Sequence, residues 1–565
     1  MEITRTPGAS SYNQDVVQPL KSFRRRKPQQ GVLLFLCLGL LCILCGRAAG
    51  QPAAEVSSAG HGRILLVLPF DNRSTQPSLE WIREAAPDIL SSRFASAGFA
   101  PMRREDRLYA LDHLGLPEGF QPSRASALKL AQTLDADSIV VGSFETHGNL
   151  IEAQAEVVDV PDLRMSGAVS SSGEMRNLVD VIDSLAWKLT GVLDPGFSVS
   201  EETFVAAGRG LRLDAFEQYI RGITEPDQAE RLHHLESAVK LSPDFGRAWM
   251  ALGREEYAGA QYEQAAAAFA KVGRDDPDAL EAAFYRGLSL LFSGNYPQAE
   301  EAFTAVAREL PLAEVLNNEG VAISRQGHDG SALFLKAIGA DPNAADYHFN
   351  RAVSLKRKGD SAGAEAELAQ CLRLRPNDSE AQGLDRAWKG KIAPAAGADG
   401  ATDEESRPDP LERIVRTFDA VAFRQAAQVM DEMEAARLAA LSPHDRAQRL
   451  STRAKDYLDR GLLLESERLY RSAVNADDKL ADAHAGLAEV QERTGDAAGA
   501  RKEAQTALEL GPNAGAYLVM GRLDLAANHL DDAGREAGEA LRLDPGNKGA
   551  QDLSRQIEAR TGQKP

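Results

Sequence analysis

The chain has 565 residues, of which 43% are hydrophobic and 26% are charged. This length exceeds what a single core supports, and the composition is that of soluble globular domains, which excludes a disordered or multi-spanning chain. A formal net charge of −19 argues against nucleic acid as a partner, because a negative surface repels a polyanion. Outside an apolar run near the start Cys371 has no second thiol, which excludes a disulfide framework and zinc sites built on CxxC pairs there.

A basic tail followed by an apolar run predicts export. Residues 1–30 form the tail, with Lys21, Lys27 and three arginines between them, and residues 31–46 read GVLLFLCLGLLCILCG. Such a pair is typical of a signal or signal anchor whose basic side stays in the cytoplasm. The 16 apolar residues fall between a signal core and a spanning helix, so a leader cleaved before Gln51 and a retained membrane anchor both stay open. We expect an inner-membrane-anchored or periplasmic protein.

An α/β domain is predicted at residues 62–197, after a spacer at 51–61. Two near-continuous apolar runs indicate buried strands, and a third stretch alternates apolar and polar residues, as a half-exposed strand does. The predicted strands are 63–70, 138–144 and 150–160. Apolar residues at helical spacing predict helices at 80–97, 124–134 and about 178–189. We expect Pro87 to kink the first of these helices or to restart it.

Two short motifs in this domain carry a family resemblance. The first is Val67-Leu68-Pro69-Phe70-Asp71-Asn72, and the second is Leu134-Asp135-Ala136-Asp137 leading into a strand with Gly142-Ser143. The segment resembles the amino-terminal domain of the TolB and FlgO-like group, over roughly a quarter of the chain. The resemblance implies a small mixed sheet that serves assembly or interaction, and it brings no catalytic residue.

From residue 212 onward, small residues and prolines recur with a period close to 34. Pro277 and Pro311 lie 34 residues apart, as do Pro342 and Pro376. Small residues stand where two antiparallel helices would cross, at Gly253, Gly287, Gly320 and Ala352. The pattern resembles the tetratricopeptide repeat. The resemblance implies paired helices stacked into a superhelix.

The predicted fold class is therefore a small mixed-sheet α/β domain followed by an all-α superhelical solenoid in two stacks. The first stack is expected at 212–390 and the second at 446–560, ending in a cap helix. A polar, acidic linker at 391–410 separates them. Residues 411–445 do not fit the repeat, and we expect bridging helices there.

No motif for catalysis or cofactor binding stands out. GxSxG, HExxH, GxxxxGK[ST] and GxGxxG elements do not occur in the sequence. His233 and His234 are adjacent on a predicted helix, which points them apart and makes a poor metal pair, and the other histidines are scattered singly. Cys371 takes a repeat position where other units have alanine, which favours a small buried side chain over a reactive thiol. We therefore expect a protein that is not an enzyme and needs no cofactor or metal. The alternative of a hydrolase or transferase hidden in residues 62–197 has no visible acid/base pair or nucleophile.

The concave face of the first stack is the candidate binding site. Apolar and aromatic anchors mixed with Arg, Lys and Asn suit an extended or helical peptide. The repeat register assigns to this face Met250, Arg254, Tyr257, Phe284, Leu288, Leu291, Asn317, Val321, Phe349, Val353 and Lys356. The candidate binding residues also include Asn318, Asn350, Arg325 and Arg357. The pair Asn318 and Asn350, near cationic side chains, resembles repeats that hold a peptide's terminal carboxylate. Asparagine is also common at that position for structural reasons.

These observations favour a non-catalytic scaffold of the bacterial cell envelope. Its partners would be proteins or peptides held in the concave groove, and residues 31–46 would bring it to the membrane. The alternative is an extracytoplasmic sensory module of a signalling system, because TolB-like modules and such repeats also occur fused to output domains. This sequence shows no output domain of that kind.

Overall fold

The computed structural model describes residues 63–208, 210–390, 411–418 and 433–561. The predicted leader, spacer and linker lie outside these residues. Within them, no helix has the length and apolar character needed to cross a membrane. A small mixed sheet with flanking helices comes first, and paired helices follow to the end. The predicted fold class is confirmed.

The sheet has seven strands in the order β3-β1-β4-β5-β6, with β2 added beside β4 and β7 beside β5. The strands are β1 Ile64–Val67, β2 Asp71–Asn72, β3 Ala100–Pro101, β4 Ser138–His147, β5 Leu150–Asp159, β6 Arg164–Met165 and β7 Val169–Glu174. Strands β1 to β4 pair in parallel, whereas β5 pairs antiparallel with β4, β6 and β7. The mixed sheet follows from short hairpin connections after β4 and helical crossovers before it.

Helices cover both faces of the parallel part. They are α1 Ile82–Ser96, α2 Arg104–His113, α3 Arg124–Thr133 and α4 Leu178–Leu193. Leu65 and Val67 point towards α1 and α4, while Leu66 and Leu68 point towards α2 and α3, as the period of a strand requires. Near-continuous apolar runs are needed for strands covered on both sides.

Pro87 lies inside α1, which is one continuous helix, so the helix does not restart there, and the expected kink stays a prediction. A proline leaves the carbonyl oxygen four residues earlier without its helical donor. Here that oxygen belongs to Arg83, and it accepts a hydrogen bond from the main-chain N–H of Phe70 at 3.0 Å. The strand-to-helix loop therefore supplies the donor that the helix lacks.

The first stack is built of five helix pairs and a final helix. Its helices are α6 Leu213–Thr224, α7 Gln228–Leu241, α8 Gly246–Ala258, α9 Tyr262–Phe269, α10 Ala279–Phe292, α11 Tyr296–Glu309, α12 Ala313–Arg325, α13 Ser331–Ala340, α14 Ala345–Arg357, α15 Ser361–Leu374 and α16 Ser379–Trp388. The first pair shares a core with the α/β domain, where the rings of Trp81 and Phe216 lie 6.4 Å apart. The stack thus begins on α1.

Glycine at the helix crossings makes room for a phenylalanine of the paired helix. A Cβ atom added to Gly287 would lie 2.7 Å from the ring of Phe303, and one added to Gly320 would lie 2.8 Å from Phe334. Both rings are fully buried. These helix pairs therefore confirm the close packing that was predicted from the recurring small residues.

The second stack has three helix pairs and a cap helix, and it packs against the short helix α5, Glu201–Ala206. Its helices are α17 Pro443–Asp459, α18 Leu463–Ala476, α19 Ala481–Thr494, α20 Ala497–Leu510, α21 Ala514–Ala526, α22 Leu530–Leu543 and α23 Lys548–Thr561. The hydroxyl of Thr203 donates to that of Thr494 at 3.1 Å, and Leu464 joins the core that contains Phe204. The second stack therefore docks where the α/β domain ends.

Residues 411–418, expected to be helical, have no regular secondary structure, so that part of the bridging-helix prediction is wrong. Residues 433–439 are helical. The short segment has a different role, because its main chain is hydrogen-bonded to the first stack instead of to itself.

A buried histidine–glutamate pair recurs in both stacks. His348 Nδ1 lies 2.6 Å from a carboxylate oxygen of Glu367, and His484 Nδ1 lies 2.7 Å from one of Glu503. The hydrogen bond to Glu503 raises the pKa of His484 above its ordinary value, although burial opposes it. The same bond holds the pKa of Glu503 below its usual range.

The second stack is expected to lose stability as the pH rises above about 6.5, the ordinary pKa of histidine. A raised folded-state pKa means that folded His484 binds its proton more tightly than the unfolded chain does. Its contribution is complete below the unfolded pKa and disappears as the pH passes the folded one. Amide exchange in α19, corrected for intrinsic rates, should show this loss. His484→Gln should remove it, whereas the same change at the exposed His328 should leave it in place.

Candidate functional site

The concave face of the first stack already holds a piece of the chain. We call residues 411–418 (LERIVRTF) the inserted segment, and the surface formed by α10, α12, α14 and the start of α16 the groove. The segment runs from the carboxyl-terminal helices of the stack back towards α10, because Arg413 meets α14 and Phe418 meets α10. The groove is thus shown with an occupant that has no regular structure.

Two asparagines hold the main chain of the inserted segment. Asn350 Oδ1 accepts from the N–H of Arg413 at 2.6 Å, and its Nδ2 donates to the carbonyl of Arg413 at 2.8 Å. Asn318 makes the same pair of bonds with Val415, at 3.0 and 2.7 Å. Alternate residues of an extended chain present their main-chain groups to the same side. The segment is therefore bound as a strand would be, by side-chain amides instead of a neighbouring strand.

The main-chain contacts follow the register of the repeat. Tyr285, Asn318 and Asn350 stand nine positions before Gly294, Gly327 and Gly359, the residues with positive φ that end their helices. Tyr285 hydrogen-bonds to the main chain of Phe418. Three successive repeats thus each bind one residue of the inserted segment.

Asn317 joins these contacts into one network. Its Nδ2 donates to the carbonyl of Arg413 at 3.1 Å, and its Oδ1 accepts from Asn350 at 2.8 Å. All three asparagine side chains are fully buried beneath the segment. Buried amides cost free energy unless they are hydrogen-bonded. The segment therefore supplies hydrogen-bond partners to amide groups that the stack itself leaves unpaired.

The second stack lacks this arrangement. Counting nine positions back from Gly461, Gly495 and Asn528, its own residues with positive φ, gives Thr452, Gly486 and Val519. None of these side chains has the paired donor and acceptor of an amide. The main-chain contacts are therefore a property of the first stack and not of the repeat in general.

A cationic pocket receives the acidic residue of the segment. The carboxylate of Glu412 is fully buried between Arg325, with Nε at 3.4 Å, and Arg357. Arg325 also donates to the carbonyl of Glu412 at 3.1 Å. A buried carboxylate needs such partners, because removing it from water without them costs several kcal/mol.

An anionic pocket receives the next residue, Arg413. Its guanidinium binds both carboxylate oxygens of Asp378, at 2.6 and 2.8 Å, and also reaches Asp346 at 2.9 Å and Glu380 at 2.9 Å. It stacks on the ring of Phe349, 3.6 Å from the centroid. Planar Arg–carboxylate pairs with two parallel bonds are among the strong contacts in proteins.

The anionic pocket is poised to be negatively charged. The hydrogen bond from Arg413 holds the pKa of Asp378 below its ordinary value. Burial tends to raise the pKa of Asp346, but hydrogen bonds from Arg375 and Arg413 outweigh it and lower that pKa. Both acids are therefore ionised at neutral pH when arginine is in place.

Apolar side chains complete the site. Ile414 and Phe418 pack on the core formed by α10 and α12, where the rings of Phe418 and Phe284 lie 5.3 Å apart. Val415 packs on the adjacent cluster of Leu316 and Tyr347. These contacts give the segment apolar anchors beside its charged and main-chain ones.

Most of the predicted groove residues lie at this site. Of these, the residues that contact the inserted segment directly are Asn317, Asn318, Asn350, Arg325, Arg357, Phe284 and Phe349. Leu288, Leu291 and Val321 belong to the buried cluster on which Ile414 and Phe418 pack, and Tyr257 packs against the same cluster. That these residues bind a separate partner stays a prediction.

Four predicted residues have other neighbours. Met250 packs in the core between α8, α9 and α10, and Val353 packs with Phe349 in the core beneath α14. Arg254 is paired with Glu105 and Glu281 at the boundary with the α/β domain. Lys356 bonds Ser361 and lies over the ring of Trp388. The repeat register alone does not separate groove from core.

Several contacts were not anticipated. Tyr285 and the three acids Asp346, Asp378 and Glu380 were missed, as was the occupant itself. The asparagines resemble those of a terminal-carboxylate clamp, yet here they bind the main chain of an internal segment. Asp378 and Glu380 at the start of α16 could have been found from their position after the last full repeat, where the groove ends.

The described part of the chain contains no group of three or more His, Cys, Asp or Glu side chains placed to hold a metal ion. Cys371 is fully buried, as expected, and burial raises the pKa of its thiol to about 11. A thiol with such a pKa is protonated at neutral pH and is a poor nucleophile.

A family model described as Tetratricopeptide repeat matches residues 250–314, 324–379 and 451–515. These ranges lie in both stacks, so the repeats predicted from the spacing of prolines and small residues are confirmed. No protein of curated function matched the chain.

Solved structures that match parts of this chain include MamA 41-end from Desulfovibrio magneticus RS-1, with 22% identity, a TM-score of 0.28, and coverage of 30% of this chain and 100% of that one. YrrB, described as a TPR protein with an unusual peptide-binding site, has 15% identity, a TM-score of 0.28, and coverage of 36% and 99%. The C-terminal domain of LpoB from Salmonella enterica has 18% identity, a TM-score of 0.18, and coverage of 20% and 85%. Likenesses of this size establish neither a partner nor a location.

Proposed function

We propose that this chain, with tetratricopeptide repeats in both stacks, is a non-catalytic scaffold that binds an extended segment of a partner protein in the groove. The observation that supports it is the seating of the inserted segment, whose main chain is held by Asn318 and Asn350. Amide side chains that hydrogen-bond to main-chain groups recognise a peptide as such, whatever its sequence. A surface with this arrangement is a peptide-binding surface.

Location in the bacterial envelope is part of the proposal. Its basis is the basic tail and the apolar residues 31–46. Sequencing the amino terminus of the mature protein distinguishes a cleaved leader from a retained anchor. A protein found only in the cytoplasmic fraction would contradict the proposed location.

The α/β domain is proposed to act as a second interaction module, in line with its resemblance to the TolB and FlgO-like group. The first helix pair shares its core, and the second stack docks on α5. A partner bound to this domain and a peptide bound in the groove would be held at a fixed distance from each other.

Two matched chains test the groove. In the vacated chain, Glu412→Gly, Arg413→Ser, Ile414→Gly and Val415→Ser empty the groove, and the second chain adds Asn318→Ala and Asn350→Ala. We expect the vacated chain to capture partner proteins from an envelope extract, as identified by mass spectrometry. The second chain should lose them. Identical sets of captured proteins from both chains would show that the groove is not where partners bind.

A further inference from the structure

We propose that the groove selects a partner segment in which an acidic residue, an arginine and two aliphatic residues follow one another, and that residues 412–415 are an internal copy of this motif. The inference rests on the proposed function and adds the chemistry of the partner. The inserted segment supplies the motif as Glu-Arg-Ile-Val. A partner must displace it to bind.

The two charged pockets carry the selectivity. Glu412 meets Arg325 and Arg357, and the next side chain, Arg413, meets carboxylates at 2.6 to 2.9 Å. Exchanging these two charges would place an arginine against two arginines and an acid against three acids. Buried like charges in contact are strongly unfavourable, so the order acidic-then-arginine is enforced by repulsion as well as attraction.

The main-chain contacts determine which residue of a bound segment faces each charged pocket. Asn350 and Asn318 bind residues two apart, so a segment can shift only by two positions and keep both contacts. A shift by one residue turns every side chain to the opposite side. The amides therefore hold any extended chain, and the charged pockets choose among sequences.

The segment is not required to hold the two stacks together. The second stack has its own attachment to α5, through Thr203 and Thr494 and through Leu464 in the shared core. It also pairs Arg460 with Asp275 of the first stack at 2.7 Å. The 20 residues 391–410 connect the last helix of the first stack to the segment. The seated segment is thus an intramolecular ligand that can be exchanged for an external one.

A tethered ligand competes in proportion to its effective concentration. A peptide with a dissociation constant of about 10 µM competing with a tethered copy at about 1 mM is weakened roughly 100-fold. The wild-type chain should therefore bind partners weakly until the segment is displaced. The vacated chain should bind them at full strength.

Two fluorescent peptides of equal composition test the inference on the full chain. One has the sequence of residues 410–418, PLERIVRTF, and the other exchanges the two charges, PLREIVRTF. We expect the first to bind the vacated chain at least tenfold more tightly than the second, and about 100-fold more tightly than it binds the wild-type chain. In the vacated chain, Arg325→Glu with Arg357→Glu should weaken binding of the first peptide, because its glutamate would then meet two carboxylates. If the vacated chain does not fold, the tenfold preference is measured on the wild-type chain at higher peptide concentration.

Each contrary result has a separate meaning. Equal binding of the two peptides would overturn the charge selection and leave peptide binding in the groove intact. Binding of neither peptide would overturn the inference, while the capture experiment on the matched chains still decides the proposed function. Concentration-dependent dimers of the wild-type chain that disappear in the vacated chain would assign the groove to the segment of a second copy, which also overturns it.

Discussion

Replacing Asn318 and Asn350 by alanine is expected to free the inserted segment and expose it to trypsin. The double change removes four hydrogen bonds to the segment's main chain. At about 0.5–1.5 kcal/mol each, their loss shifts the equilibrium between the bound and the released segment by about 2–6 kcal/mol towards release. Since 1.4 kcal/mol is a factor of ten, cleavage after Arg416 should accelerate at least about 30-fold.

Limited proteolysis followed by mass spectrometry measures this rate. A matched control changes Asn343 and Asn377, two exposed asparagines of the same stack, to alanine. This control should be cleaved after Arg416 at the wild-type rate. Should the two double variants be cleaved equally fast, the asparagines do not hold the segment.

The change Phe334→Ala is expected to destabilise the fourth helix pair by about 3–5 kcal/mol, the usual loss for a fully buried phenylalanine. Its ring fills the crossing over Gly320, where even a Cβ atom would lie 2.8 Å away, so no neighbour can fill the cavity without moving the helices. Repeat stacks are stabilised by nearest neighbours. The loss should therefore be concentrated in α12 and α13.

Hydrogen exchange measured peptide by peptide tests this. Amides of α12 and α13 should exchange about 100-fold faster or more, because 3 kcal/mol corresponds to roughly that factor. Leu335→Ala is the control, since the next residue along the helix is 48% exposed. Equal acceleration by both changes would show that the crossing does not depend on the ring. Because α12 carries Asn317, Asn318 and Arg325, its opening should also release the inserted segment.

Together the two variants distinguish release of the inserted segment from unfolding of the helix pairs. The asparagine changes should leave exchange in the helices nearly unchanged and expose only the segment. The phenylalanine change should affect both. A groove that is preformed, with a ligand that binds to it reversibly, gives this asymmetry. A segment that is an obligatory part of the core would not.

Much of the groove could be predicted because small side chains recur at the helix crossings and thereby reveal the repeat. Gly287 and Gly320 mark the helix crossings, and the residues that follow in register point to the concave face. Asn318 and Asn350 were candidates because they take the same position in successive repeats and resemble a carboxylate clamp, and both lie in the groove. Met250 and Val353 were assigned to it as well, yet they are core, since the register gives a direction around the helix but not how deeply a neighbouring helix covers it.

Local patterns in the chain were enough to establish the helix pairs, the mixed sheet and the two stacks, because close packing and strand alternation act between residues near in sequence. The identity of the groove's occupant was not accessible in that way. Glu412 meets Arg325 and Arg413 meets Asp346 across 87 and 67 positions, and such pairing depends on how the whole stack curves. A short stretch without helical or strand periodicity takes its conformation from the surface that receives it, and that surface exists only once the stack has folded.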